Sequence, residues 1–514
     1  MLEAFACFFL LALPIFYPGG PNGVREYLSV TGMALLGAIA GIGYLYSAPL
    51  PAPSLPILLF GGYIVLSVFW SGNKEHSIFD GLMILSCLTA YYVAQHIDRE
   101  TALFLCFAPA PGIAATMMWE EVKYRKLMAA SHLLTDAERM MQESYKRPGG
   151  LFGNCNHAGV YLALNVLTGA WLAQNVTLWV LPFVLLTVLG IFYSRSRNAQ
   201  AATLIGIASI FMFMKLWLVF IPVLAIGIIA LARIKNKRLS DRNVIFAKAI
   251  SLILEKPVFG WGLNTFRIEH SYRKPFVATH RVHNDFLEFW YDLGVIGLML
   301  IGFIYWSADW SFSPLLSAQL LIGAGTALWF FTFREIHTAM PVFGLLGALT
   351  PPVTASPYAP MIILLLLIAV PRLLWENIGK RVVGLYWYVK ASHRKTKEDQ
   401  YALCAKAIEY DRNSEYLTRC SYLAAKNGEI NMAWDLCCRA LYRFDGVITL
   451  YSLYAQTAKA ALIKGAYGLA DIYNRISLDL NPAFPASIAF RGELDRIQAN
   501  LEKRRSQNGT VELH

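Results

Sequence analysis

"RVHNDFLEFWYDLGVIGLMLIGFIYW" covers residues 281–306 and changes character partway along. Arg281, His283, Asn284, Asp285 and Glu288 crowd its start, whereas from Val295 onward it carries no charge. A helix needs about 20 predominantly apolar residues to cross the hydrocarbon core of a bilayer. The stretch from about 284 to 306 therefore reads as a membrane span, and its polar groups as something placed at the span's mouth.

The pattern recurs along the chain. Apolar runs of spanning length fall near 2–17, 27–47, 53–71, 77–96, 101–119, 151–174, 176–193, 198–214, 216–232, 284–306, 313–332 and 357–375. A shorter apolar piece near 339–350 reads as re-entrant or as part of a bent helix. The 514 residues are 56% hydrophobic and only 15% charged, with mean hydropathy +0.45, where a soluble protein carries about a quarter charged residues. The expected fold is all-α: a polytopic membrane bundle of about twelve helices, followed by a soluble helical domain. The run from Leu2 to Tyr17 has no basic region ahead of it and carries Glu3, so it reads as a first span rather than a cleaved signal. The eight cysteines form no CxxC pair and read as small packing residues. The net charge of +11 suits headgroups and anionic ligands, and gives no reason to expect nucleic acid.

Orientation follows the Lys/Arg bias of short flanks. Arg372, Lys380, Arg381, Lys390, Arg394, Lys395 and Lys397 follow the last span, which puts that end in the cytoplasm and, with twelve spans, the N-terminus as well. The connections at 120–150, 194–197, 233–283 and 333–338 then face the other side. They hold Arg125, Arg147, Arg195, Arg197, Arg242, Arg273 and Arg281, against the usual bias. Long loops escape that rule, but the turn carrying Arg195 and Arg197 is short, and an anionic ligand is one candidate for holding them there.

Residues 1–390 thus read as a transmembrane domain with an outer polar loop at about 233–283, and 398–505 as a cytoplasmic helical domain. In the latter, Leu417, Cys420, Ser421, Ala424, Ala433, Ala440 and Asp445 match Tyr454, Thr457, Ala458, Ala461, Ala470, Ser477 and Pro482 at an offset of 37 residues. Small residues so spaced suit paired antiparallel helices of the tetratricopeptide type; a helical bundle with coincidental spacing is the other reading. Either makes the tail a surface for docking a protein partner.

Four stretches set polar groups against apolar spans. "GGLFGNCNHAGVYLALN" (149–165) brings Asn154, Asn156 and His157 to the start of a span, where a helix cap is the simplest role. "YSRSRNAQAATLIG" (193–206) brings Arg195 and Arg197, for which headgroup contact is the plain alternative. In "LSDRNVIFAKAISLILEKPVFGWGLNTF" (239–266), Val244, Ile245, Ala249, Leu252 and Ile253 recur at helical spacing. This describes a helix lying on the membrane surface, with Arg242 near its N-terminus and Pro257 and glycines at its end. The fourth is the opening stretch, with His280 just ahead of it and His283, for which a cap or a solvated side chain is the plain alternative. Arginines hold phosphate groups through charge-assisted bonds and histidine can take a proton from a hydroxyl, a combination suited to group transfer with a pyrophosphate leaving group. No carboxylate cluster has metal-ligand spacing, so no divalent ion is expected.

These motifs resemble the bacterial O-antigen ligase and polymerase superfamily. "HNDFLEFWYDLGVIGL" (283–298) is similar to that family's histidine motif, "SRNAQAATL" (196–204) to its Ser-Arg motif, "DRNVIFAKAISLILEKPVFGWGLNTF" (241–266) to its Arg-bearing surface helix, and "GLFGNCNHAG" (150–159) to its Asn-rich segment. The resemblance implies inverting glycosyl transfer, without cofactor, at the periplasmic face of the bacterial inner membrane. The donor would be an undecaprenyl-pyrophosphate-linked glycan. The acceptor would be lipid A-core in a ligase, a second glycan in a polymerase involved in polysaccharide biosynthesis, or a protein hydroxyl. It implies His283 as general base and Arg197 or Arg195, with Arg242, on the pyrophosphate; Asn156 and Asn284 join them as substrate-binding candidates. A transporter for an anionic lipid or glycan is the competing reading, although it would favour ionisable groups at mid-membrane, where Asp80 is the clearest case.

Overall fold

The computed structural model describes Glu3 and residues 7–12, 51–129, 148–222, 240–269, 281–352 and 380–507, apart from isolated positions and short connections within those ranges. The spans expected at 27–47 and 357–375, most of the one at 216–232, and Arg147, Arg273 and Arg372 lie outside the described residues. Helices account for the regular structure and no strand occurs among the described residues. The chain forms two compact units, one of residues 1–265 and 281–377, the other of 266–280 and 378–514.

The first unit holds eleven α-helices of nine or more described residues: α1 (Leu55–Trp70), α2 (Lys74–His96), α3 (Arg99–Phe107), α4 (Pro109–Ala129), α5 (Cys155–Asn175), α6 (Leu181–Tyr193), α7 (Arg197–Phe213), α8 (Ser240–Glu255), α9 (Asp285–Trp306), α10 (Pro314–Ala327) and α11 (Ile336–Leu349). Their starts follow local chemistry. Asp98 accepts a hydrogen bond from the Thr101 amide at 2.9 Å and caps α3, and prolines near the starts of α1, α6 and α10 sit where a missing N–H costs nothing. The apolar piece at 339–350 is a regular helix, α11, that tolerates Pro341 in its second turn.

Helix α5 is the axis of this unit, with 17 of its 21 residues buried. The buried Gln319 of α10 inserts into its backbone ladder, donating to the Ala163 carbonyl and accepting from the Leu167 amide, both at 2.8 Å. Those two groups would otherwise bond each other, so the side chain ties α10 to α5 while leaving both satisfied. Helix α6 turns Val184, Thr187, Gly190 and Ile191 inward and leaves Leu181, Phe183, Leu185, Leu189 and Phe192 exposed. An apolar face of that kind is stable against hydrocarbon, not against water. Arg99–Lys126 and Asp285–Trp306 are long and apolar enough to cross a bilayer, and four further apolar helices are shorter.

The second unit contains α12 (Lys380–Ser392), α13 (Lys397–Tyr410), α14 (Ser414–Lys426), α15 (Ile430–Tyr442), α16 (Leu450–Ile463), α17 (Tyr467–Leu480) and α18 (Pro485–Gln507). Cys420, Ser421, Ala424, Ala433 and Ala440 are buried, as are Thr457, Ala458, Ala461, Ala470 and Ser477. The 37-residue offset extends to the backbone. Gly428 and Gly465 both take positive φ in the turns ending α14 and α16. Behind them the amides of Glu429 and Ala466 bond the carbonyls of Ala424 and Ala461, both at 2.9 Å. Two helical hairpins are thus built to one plan.

Candidate active site

The start of α9 is fixed by its own carboxylates. Asn284 caps the helix by accepting from the Leu287 amide at 3.0 Å. One residue on, buried Asp285 accepts from the Phe333 amide at 2.7 Å, and buried Glu288 accepts from the Val282 amide at 3.0 Å and from Arg281 at 2.9 Å. Arg281 also reaches Asp80 of α2 at 3.2 Å. Burial opposes the charge on Arg281, but Asp80, Glu288 and Glu335 outweigh it and hold the guanidinium charged. Asp80, the carboxylate the sequence leaves stranded in a span, is therefore half of an ion pair.

Between these anchors His283 takes φ of +62°, a left-handed conformation that strains a residue with a Cβ. Its imidazole is half-buried. Burial, seconded by the positive charges of Arg242 and Arg281, holds its pKa below the usual value, with Glu288 pulling the other way. The ring is therefore neutral at neutral pH and able to accept a proton.

The glycines after α8 explain how Arg242 comes to face this histidine. Inside α9, Gly294 leaves helical geometry (φ 68°, ψ −172°) and kinks the helix. The kink frees the carbonyls of Tyr291 and Asp292, which accept from the amides of Trp261 and Gly262, while the Val295 amide donates to the Pro257 carbonyl, all at 2.9 Å. Gly260 and Gly262 take positive φ on that path, and Gly294 lies against the Val258 carbonyl where no Cβ would fit. Trp261 stacks on Tyr291, with ring centroids 6.2 Å apart and planes within 9°. The Pro-x-x-Gly-x-Gly run and the Gly-x-x-Gly run are thus two halves of one joint.

Four helices present their N-termini to one end of the unit. His157 in the first turn of α5 lies 2.7 Å from His337 in the first turn of α11, Asp285 of α9 bonds the strand of chain leading into α11, and Gly159 of α5 sits against Ser194, Ser196 and Ala199 at the start of α7. Helix N-termini carry partial positive charge and unpaired amides, so this end attracts anions. Arg197 is the first residue of α7 and its side chain is exposed, with Ser196 capping below it. Arg195 (φ 52°) turns the other way, to buried Glu121 of α4 at 3.3 Å. The adjacent Glu120 accepts from the amides of Gly149 and Gly150, both at 2.9 Å. The end of α4 thus secures two of the four stretches. Asn154 caps α5, accepting from the Asn156 amide, and the Asn156 side chain is half-buried beside it.

Sequence reasoning misses Glu335 and His337, which with His157 bring three potential ligand atoms within 4.8 Å of one another. The signal was present in "REIHTAM" (334–340), another polar group ahead of an apolar helix. It was overlooked because it lies in a short connection.

Exposed apolar helix faces, and two stretches long and apolar enough to cross a bilayer, suit a membrane protein. A family model described as O-antigen ligase matches residues 182–302, from α6 into α9, so that Arg195, Arg197, Arg242 and His283 all fall inside the match. The segment from α6 into α9 is thus similar to the O-antigen ligase family. No curated protein and no solved structure matches it.

Proposed function

We propose that this protein transfers an undecaprenyl-pyrophosphate-linked glycan to an acceptor hydroxyl, with lipid A-core as the first acceptor to test, at the periplasmic face of the inner membrane. The observation that carries the reading is His283: strained, clamped on both sides, and kept neutral beside Arg242. A neutral imidazole removes the acceptor proton as the hydroxyl oxygen attacks the anomeric carbon and the bond to the pyrophosphate breaks. Arg197 and Arg242 bind that pyrophosphate and stabilise the charge it gains on leaving, aided by the helix N-termini around them. Arg195 acts on Glu121 and sets the turn rather than touching donor, while Asn156 and Asn284 border the site. On this reading the membrane domain has about twelve spans with both termini cytoplasmic, and the 37-residue hairpins form a tetratricopeptide-like domain that docks a protein partner.

The test is transfer in vesicles containing the purified protein and lipid-linked glycan. His283→Asn, which keeps a residue tolerant of left-handed backbone, Arg197→Ala and Arg242→Ala should each lower transfer by about 100-fold or more, as loss of a proton-transfer or charge-stabilising group does. Arg195→Asn should retain most of it. Wild-type rates in all three folded variants would overturn the mechanism; extension of free glycan without lipid A-core modification would make the enzyme a polymerase.

A further inference from the structure

The His157, Glu335 and His337 cluster is a different constellation from the one assigned above. His157 Nδ1 and His337 Nε2 face each other at 2.7 Å across a buried space, and a Glu335 carboxylate oxygen completes a triangle with no side longer than 4.8 Å. Phe152 packs on the His337 ring at 4.7 Å and gives the cluster an apolar wall. Two imidazoles and one carboxylate are a donor set that borderline-soft divalent ions take in preference to calcium or magnesium. We propose that these three residues form a binding site for one divalent transition-metal ion of the zinc class. Three protein ligands leave the fourth position of a tetrahedron to a water or a substrate oxygen.

Two further observations favour an ion over a simple hydrogen bond between the rings. Asp80, Glu288 and Glu335 all bear on the guanidinium of Arg281, so Glu335 belongs to a group of carboxylates beside which a divalent ion adds favourable positive charge. The ligands also come from the first turns of α5 and α11, and an ion there would tie together two of the helix ends that form the candidate active site. Zinc–nitrogen bonds of about 2.0–2.1 Å in a tetrahedron separate two nitrogens by roughly 3.3 Å. The rings need to part by about half an ångström, a small shift for side chains at helix starts.

The site does not depend on the glycosyl-transfer reading, and its test reads metal rather than product. Full-length protein carrying a histidine-free affinity tag would be purified in detergent, stripped with chelator, reloaded with zinc or cobalt, and its bound metal counted. About one ion per chain is expected, with visible cobalt bands of a tetrahedral site and a lower melting temperature after stripping. The double variant His157→Ala/His337→Ala should lose the ion. Glu335→Gln, at a half-buried position that tolerates the amide, should weaken cobalt binding by at least about tenfold, and His393→Ala in the second unit should change nothing. Wild-type protein that takes up no more metal than the double variant would overturn the proposal whatever the variants' stability, and so would cobalt spectra unaltered by Glu335→Gln.

Discussion

Gly294→Ala should do far more damage than Gly302→Ala, although both change one glycine to alanine in the same helix. At φ 68° and ψ −172°, Gly294 occupies backbone space that is essentially glycine's alone, so any Cβ there costs about 1–3 kcal/mol. The new methyl would also meet the Val258 carbonyl. To relieve that contact the 257–262 loop must withdraw and weaken the three backbone hydrogen bonds that dock it on Tyr291, Asp292 and Val295, each worth about 1 kcal/mol. The sum is up to about 4–6 kcal/mol, or more than roughly 100-fold in the equilibrium between docked and undocked loop. Gly302 is helical with nothing within 4 Å of an added Cβ, and there alanine should be neutral or stabilise by up to about 1 kcal/mol. Chemical unfolding of both variants in detergent measures the difference, and limited proteolysis reports whether 257–262 has lifted away. Equal stability for the two, with the loop equally protected, would refute the idea that the kink exists to seat the loop.

Two other expectations follow from the electrostatics. Transfer should fail as pH falls through the His283 pKa, because the base must be neutral; that pKa lies below the usual histidine value. Arg242→Gln removes a charge that disfavours the imidazolium, so the acid limb of its residual rate should move to higher pH. An unmoved limb would mean that the titrating base is another group. Asp80→Asn takes one carboxylate from half-buried Arg281 but leaves Glu288, and should destabilise by about 1–3 kcal/mol. Glu121→Gln, whose partner Arg195 is 44% exposed, should cost about 1 kcal/mol or less, and denaturation in detergent should separate the two variants.

What the sequence discloses and what it hides divide along physical lines. The helix itself, α8, is legible because Val244, Ile245, Ala249, Leu252 and Ile253 mark one face by their spacing; the last four are buried and Val244 is half-buried. The cap at Asn154 is legible because capping is a contact with residues two or three positions away. The joint at Gly294 is not, because a backbone contact between residues 257–262 and 291–295 leaves no side-chain pattern, and "DLGVIGL" reads as uninterrupted apolar helix. Separating Arg195 from Arg197 needs Glu121, which lies 74 positions away in the chain. The His157–His337 contact spans 180 positions, so no ligand spacing could have pointed to it.

The titratable groups that crowd the start of α9 have little freedom. A histidine that only capped a helix or met solvent would have no need of a left-handed backbone, and that conformation persists only where its surroundings impose it. Here they do: Glu288 holds residues 281 and 282 from one side, Asn284 and Asp285 hold the helix start from the other, and Arg242 arrives through a loop bolted to the kink below. Each of these contacts fixes position more than it adds stability. A lipid-linked donor has its anchor in the bilayer and its sugar in water, so a base acting on it must stand at that boundary, where water competes for every polar group. Rigid attachment to helix ends is what would keep an imidazole placed there.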